Sequence, residues 1–266
     1  MSLLNFRLKI DGDVMLKNIS LKLLVGEPID IIVGKVHALK IKDIIEMGEK
    51  KYNQYLSILL YDVDLVDINK DVLKELQIDK FTTYHFLLLQ SHSDDEFKNF
   101  VIEALECFFK ENVYYDEEML VFYLVDTNND IKYITPEIYE LFKKVLIKQN
   151  FLKELEEEEE LIFGNELARQ WYLDLKKKEK TRPKPKNNID MQSIISGVYW
   201  KSGKSKEEIL NLSIYELYEG YYRLCVIDNC NNLAQGIYHG NVDGKKMKES
   251  DLNWAKIIKF DNGNLN

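Results

Sequence analysis

Hydrophobic spacing divides the chain into a strand-bearing start and a long helical remainder. Asn5 to Ile10 alternates loosely, Asp11-Gly12-Asp13 is a turn signal, Ile19 to Val25 is a second apolar run, and Ile29 to Val33 is a third, ending at Gly34. These predict a small β-meander. From Lys40 the period changes. Ile41, Ile44, Ile45, Tyr52, Tyr55, Leu56 and Leu59 fall at helical spacing, predicting one helix to about Leu60 with a weak point at Gly48. Further helices are predicted from Asn69 to Leu76 and from Phe81 to Gln90. Ser93-Asp94-Asp95-Glu96 matches a capping box, in which a hydroxyl accepts an amide hydrogen bond while the glutamate reaches back, and it opens a helix through Phe97, Val101, Leu105 and Phe108.

Val113 to Tyr115, Leu120 to Val125 and Ile131 to Ile134 read as short strands, the last two joined by a polar hairpin loop at residues 126–130. Thr135-Pro136 then starts a helix carrying Ile138, Leu141, Phe142, Val145 and Leu146, with Pro where a missing amide hydrogen costs nothing. Next comes a break in composition. Six of the seven residues from Glu154 to Glu160 are acidic, and Lys176 to Lys186 holds seven basic residues with Pro183 and Pro185. Leu161 to Leu175 between them has the spacing of one helix. Blocks of like charge are solvated helix faces or linkers, and Pro-x-Pro cannot continue a helix. The expected organisation is therefore an N-terminal α+β domain over 1–150, a charged helical linker over 151–187 and a helical C-terminal domain over 188–266.

In that last unit Met191 to Trp200 reads as helix. Ser205 with Glu208, and Ser213 with Glu216, make two more capping boxes. The second opens a helix with Ile214, Leu217, Tyr218, Tyr221, Leu224 and Cys225 on one face. Asn241 to Gly244 reads as a turn and Asp251 to Ile258, containing Trp254, as a final short helix. The fold class is α+β and mostly helical.

Composition narrows the function classes. The 266 residues carry 36 Lys plus Arg against 45 Asp plus Glu, a formal charge of −9, which makes nucleic acid an unlikely partner for the surface as a whole. Only Arg7, Arg169, Arg182 and Arg223 are available for the bidentate contacts that read guanine. Apolar runs such as Leu56 to Leu60 and Phe86 to Leu89 are too short to span a bilayer, and the N-terminus lacks the pattern of a secretory signal. Three cysteines, Cys107, Cys225 and Cys230, are too few and odd in number for a disulfide framework, so a reduced cytosolic setting is expected.

Each chemistry-bearing pattern breaks its own rule. Asp126, Asn128, Asp130 and Glu137 stand at EF-hand positions, but Ile131 occupies the place where the turn needs Gly. Gly197 and Gly203-Lys204-Ser205 are one residue too far apart for a phosphate-binding loop, and a helix rather than a strand precedes them. Asp62-Val63-Asp64 follows an apolar run, as in metal-dependent glycosyltransferases, without the repeated βα units such a fold requires. His37, His85, His92 and His239 are scattered, and no Gly-x-Ser-x-Gly elbow is present. No catalytic residue, metal or cofactor is assigned, and a non-enzymatic protein is expected. The 16 tyrosines are more suggestive, because each has an apolar body and a polar tip suited to an interface.

Two stretches, Gly34-Lys-Val-His-Ala-Leu-Lys-Ile-Lys-Asp-Ile-Ile-Glu-Met-Gly48 followed by Lys51-Tyr-Asn-Gln-Tyr-Leu56, and Leu212-Ser-Ile-Tyr-Glu-Leu-Tyr-Glu-Gly-Tyr-Tyr-Arg-Leu224, together with the charged linker and Trp254, resemble the tail assembly chaperones of tailed phages and prophages of low-GC Gram-positive bacteria. The resemblance implies a protein of the host cytoplasm that coats the helical tape measure protein until tail tube protein polymerises around it, working in multiple copies as a homo-oligomer without membrane or nucleic acid. It implies partner-binding residues on the tyrosine-bearing helix, namely Ile214, Leu217, Tyr218, Tyr221 and Tyr222. Two alternatives stand beside it: a structural neck or tail subunit of the virion, and a phage factor that binds a host defence protein.

Overall fold

The computed structural model describes residues 19–63, 81–126, 129–152 and 190–256, with the backbone of four residues in a terminal hairpin. Its elements in chain order are α1 (Ser20–Leu24), β1 (Ile29–Ile31), β2 (Gly34–Val36), α2 (Ile41–Met47), α3 (Glu49–Leu59), α4 (Thr83–Ser93) and α5 (Asp95–Phe109). Then follow β3 (Val113–Asp116), β4 (Val121–Val125), β5 (Ile131–Tyr133), α6 (Pro136–Gln149), α7 (Met191–Ser202), α8 (Lys206–Asn211) and α9 (Ile214–Tyr238). Two 3-10 turns, Gly244–Lys246 and Glu249–Asp251, and the hairpin β6 (Phe260–Asp261) and β7 (Asn264–Leu265) end the series. The fold is α+β: small antiparallel sheets lie in the N-terminal half, and helices make up most of the C-terminal half. The strand expected at Asn5 to Ile10, the helices expected at Asn69 to Leu76 and Leu161 to Leu175, and the basic stretch Lys176 to Lys186 fall outside the described residues.

Four expectations are corrected. Ile19 to Val25 is not a strand: Ile19 and Leu23, four apart, are buried together, and the run turns once as α1. It stops in a left-handed turn at Gly26, φ +68°, with Glu27 N–H donating to Lys22 O and Gly26 N–H to Leu23 O. The single helix expected over 40–60 is two, because Gly48 adopts φ +89° between α2 and α3. The cap of α5 is Asp94, not Ser93. Asp94 Oδ1 accepts from the amides of Glu96 and Phe97, whereas the Ser93 hydroxyl donates back to carbonyls of α4. Within Asp251 to Lys256 no α-helix forms, since Arg223 of α9 donates to the Trp254 and Lys256 carbonyls at 2.8 and 2.9 Å and holds that segment in turns.

Three other caps form as expected. Thr135 caps α6 with Pro136 behind it, and Ser205 with Glu208 and Ser213 with Glu216 form reciprocal boxes. The three strands pair antiparallel in the order β3-β4-β5, with Phe122 and Leu124 facing inward.

Helix α5 is the central strut. It packs on α3, α4, β2 and β3, and buries Val101, Ala104, Leu105, Phe108 and Phe109. Beneath it Tyr84 stacks on Tyr139 at 4.8 Å and Phe109 on Phe142 at 5.0 Å. Three buried phenols are spent: Tyr139 donates to Leu59 O, Tyr84 to Ile134 O and Tyr52 to Asn150 Oδ1. A buried phenol left without a partner would cost stability, so these bonds fix the register of α3, α4 and α6. The C-terminal helices join the same core. Ile41 N–H donates to Leu212 O and Ile214 N–H to Leu39 O, both at 2.9 Å, and Ile209, Ile214 and Leu217 are buried with Ile41 and Ile44.

Candidate functional site

The bridge between Leu39–Ile41 and Leu212–Ile214 brings together the two stretches on which the sequence resemblance rests. Around it α2 packs against α8, and α9 against α1, α6 and α7. Each of the residues expected to bind a partner can be located against this frame.

Ile214 and Leu217 do not lie on an open face. They are 2% and 0% exposed, inside the chain's own core. A helical apolar stripe is equally suited to a neighbouring element and to an outside partner, and here the Ser213 junction presses the first turn of α9 inward. Tyr218, Tyr221 and Tyr222 are half-buried. Phe151, just after α6, meets this surface, with its ring 4.4 Å from Tyr215, 6.2 Å from Tyr218 and 6.3 Å from Tyr222. Burial raises the pKa of Tyr218, reinforced by the neighbouring Tyr222 and by Glu49 of α3. Burial and the adjoining Cys225 raise those of Tyr221 and Tyr222 in the same way. All three stay neutral hydroxyls at ordinary pH.

A more open apolar surface lies beside this junction and was not read from the sequence. A cleft of about 570 Å³ runs between α7 on one side and α2 with α8 on the other. Met191, Ile195 and Tyr199, spaced four apart on α7, form one wall, and Ile44, Ile45, Ile209 and Leu210 form the other. Glu49 and Lys206 are the charged residues in its lining. Ile45 at its mouth is 56% exposed, and Tyr199 meets edge-on the ring of Trp200, itself 80% exposed. Soluble surfaces scatter single apolar side chains freely, whereas a grooved, contiguous set marks a place where another apolar body is held. The row 191, 195, 199 was the available signal. Its opposite wall comes from distant sequence, so the groove itself had none.

Elsewhere part of the candidate chemistry is taken up locally, and Asn128 of the EF-hand-like pattern lies outside the described residues. Asp126 accepts from the Asp130 amide at 3.0 Å and pairs with Lys132 at 3.3 Å, closing the hairpin loop. Gly203, φ +72°, ends α7, and Ser205 caps α8. Asp62 sits after α3, and Asp64 lies outside the described residues. Cys107, Cys225 and Cys230 are free thiols, and burial pushes that of Cys107 up. Among the described residues no group of three or more His, Cys, Asp or Glu is placed to hold a metal ion, and no helix is long and apolar enough to cross a membrane.

Residues 177–259 match the family model described as the YomV second domain, less than a third of the chain but a span that includes α7, α8 and α9. No curated protein and no solved structure matches the chain. YomV is a Bacillus phage or prophage protein, and the similarity suggests a phage-associated protein.

Proposed function

We propose that this chain is a non-enzymatic phage tail morphogenesis protein, an assembly chaperone that binds the tape measure protein before the tail tube polymerises around it. The observation that carries the reading is the apolar cleft beside the bridge joining Gly34–Gly48 to Leu212–Leu224. The lining of Ile44, Ile45, Met191, Ile195, Tyr199 and Leu210 suits the apolar stripe of an amphipathic helix, which would present side chains at i, i+3, i+4 and i+7. Exposed Trp200 extends that surface with a large, rigid, amphipathic contact. The contact face is thereby moved from Ile214 and Leu217, which the chain uses for its own packing, to α7 and α2. Tyr218, Tyr221 and Tyr222, half-buried on α9, are not among the side chains that line the cleft. The similarity of residues 177–259 to a domain of a phage protein supports the phage setting.

Co-expression with the tape measure protein of the same phage tests the reading. The chaperone holds that protein soluble and co-purifies with it, and Ile45→Asp at the exposed mouth of the cleft removes both effects while leaving the fold intact. A tape measure protein that stays insoluble with the unaltered chain, or a complex indifferent to Ile45→Asp and Ile195→Asp alike, contradicts it. A structural virion subunit would instead remain in finished particles at fixed stoichiometry, and a host-directed factor would co-purify with a host protein.

A further inference from the structure

Helix α4 opens with an uncommon cap. Thr82 is the capping residue, its hydroxyl lies 2.9 Å from Nδ1 of His85, and the Thr82 amide donates to the same nitrogen at 3.2 Å. The usual residue at this place is Glu or Gln, whose oxygen accepts at neutral pH. An imidazole fills it only while Nδ1 is unprotonated and the ring proton sits on Nε2. The turn so closed carries Tyr84, whose hydroxyl donates to Ile134 O after β5 and accepts from the Phe122 amide of β4 at 3.2 Å. It also carries Thr83, which donates to Tyr61 O at 2.7 Å, and Phe86, whose ring stacks on Tyr61 at 4.9 Å.

We propose that His85 is a pH-sensitive latch on this turn. Neutral, it closes the cap and keeps Tyr84 against the sheet. Protonated, its Nδ1–H turns to the Thr82 hydroxyl oxygen, the Thr82 N–H loses its acceptor so that the reciprocal half of the cap opens, and a cation sits at the positive end of the α4 dipole, where it is disfavoured.

The surroundings set the direction of the switch. Burial lowers the imidazole pKa below its ordinary value, and Glu137 of α6 opposes that shift. Lys143 of α6 reaches Thr83 at 2.9 Å with Glu140 beside it at 3.5 Å, so a cation already occupies this end of the helix. Phe81 stacks on the ring at 6.0 Å. A histidine with a lowered folded-state pKa stabilises the closed form above its unfolded value. That stability is lost as pH falls through the two values, so the latch is shut at neutral pH and opens in acid.

Two measurements on the full chain decide it. Histidine nitrogen NMR at neutral pH shows His85 as the Nε2–H tautomer, and amide-exchange protection of Tyr84, His85 and Phe86 falls by about fivefold relative to α5 on mild acidification. His85→Gln keeps an acceptor without titrating, and its protection at these amides is flat over the same range. An Nδ1–H tautomer, protection in the unaltered chain that does not respond to acid, or an equal loss in His85→Gln would overturn the latch. Should His85→Gln fail to fold, the tautomer and the acid response of the unaltered chain decide alone.

Discussion

Lys40 and Ser213 stand opposite each other in an isolated antiparallel bridge, closed by Ile41 N–H to Leu212 O and Ile214 N–H to Leu39 O. Two hydrogen bonds thus fasten the start of α2 to the start of α9, and Ser213 serves twice. Its backbone lies within the bridge, while its hydroxyl accepts from the Glu216 amide and its own amide donates to Glu216 Oε2 at 2.7 Å. Everything distinctive about the candidate surface is arranged around this point.

Ser213→Ala removes the cap where the two halves of the core meet. Unfolding free energy falls by about 1 kcal/mol, the usual worth of an N-cap, as chemical denaturation followed by circular dichroism would measure. Ser205→Ala removes an exposed cap on the short helix α8 and costs less.

Gly26→Ala tests the other side of the same junction. Gly26 has φ +68°, and an added Cβ would lie 3.0 Å from Glu216 Oε2, the oxygen that closes the Ser213 box. Left-handed strain and a displaced carboxylate act together, so the variant loses at least about 1 kcal/mol. Thermal denaturation showing an unchanged midpoint would contradict that account of the turn.

The buried phenol network gives a larger effect. Tyr52→Phe leaves Asn150 Oδ1 without the hydroxyl that satisfies it, and Tyr139→Phe does the same to Leu59 O. Each costs about 1–3 kcal/mol, the penalty for stranding a buried acceptor. Equilibrium unfolding of the two variants measures this directly.

Alkaline pH acts through the same groups. Burial is the chief cause raising the pKa values of Tyr52, Tyr84 and Tyr139 above the ordinary phenol value. Because the unfolded chain then gives up these protons first, stability is full below pH about 10 and falls as pH rises beyond it. Tyrosinate absorbance for these three rises together with loss of helix. A separate, earlier rise would show that they ionise within the folded chain.

How much of this was legible in the sequence follows from how local each feature is. Ser205 with Glu208, Ser213 with Glu216 and Thr135 with Pro136 could be read because a cap is complete within four residues. The seven-residue run from Ile19 was not, since so short an apolar stretch fits a strand or a single helical turn, and Gly26 decides between them only by its conformation. The stripe of Ile214 and Leu217 was seen correctly as apolar, but periodicity does not say whether it meets its own core or another protein. The cleft was invisible for a related reason. Ile45, Ile195 and Leu210 converge only once the bridge at Lys40 and Ser213 has formed.

The chaperone reading is tested most directly by quantitative mass spectrometry of this protein in the lysate of infected or induced cells and in purified particles from the same culture. An assembly chaperone is abundant in the lysate, bound to tape measure protein, and absent from particles. A fixed stoichiometric presence in finished particles would contradict the account and make the chain a structural subunit.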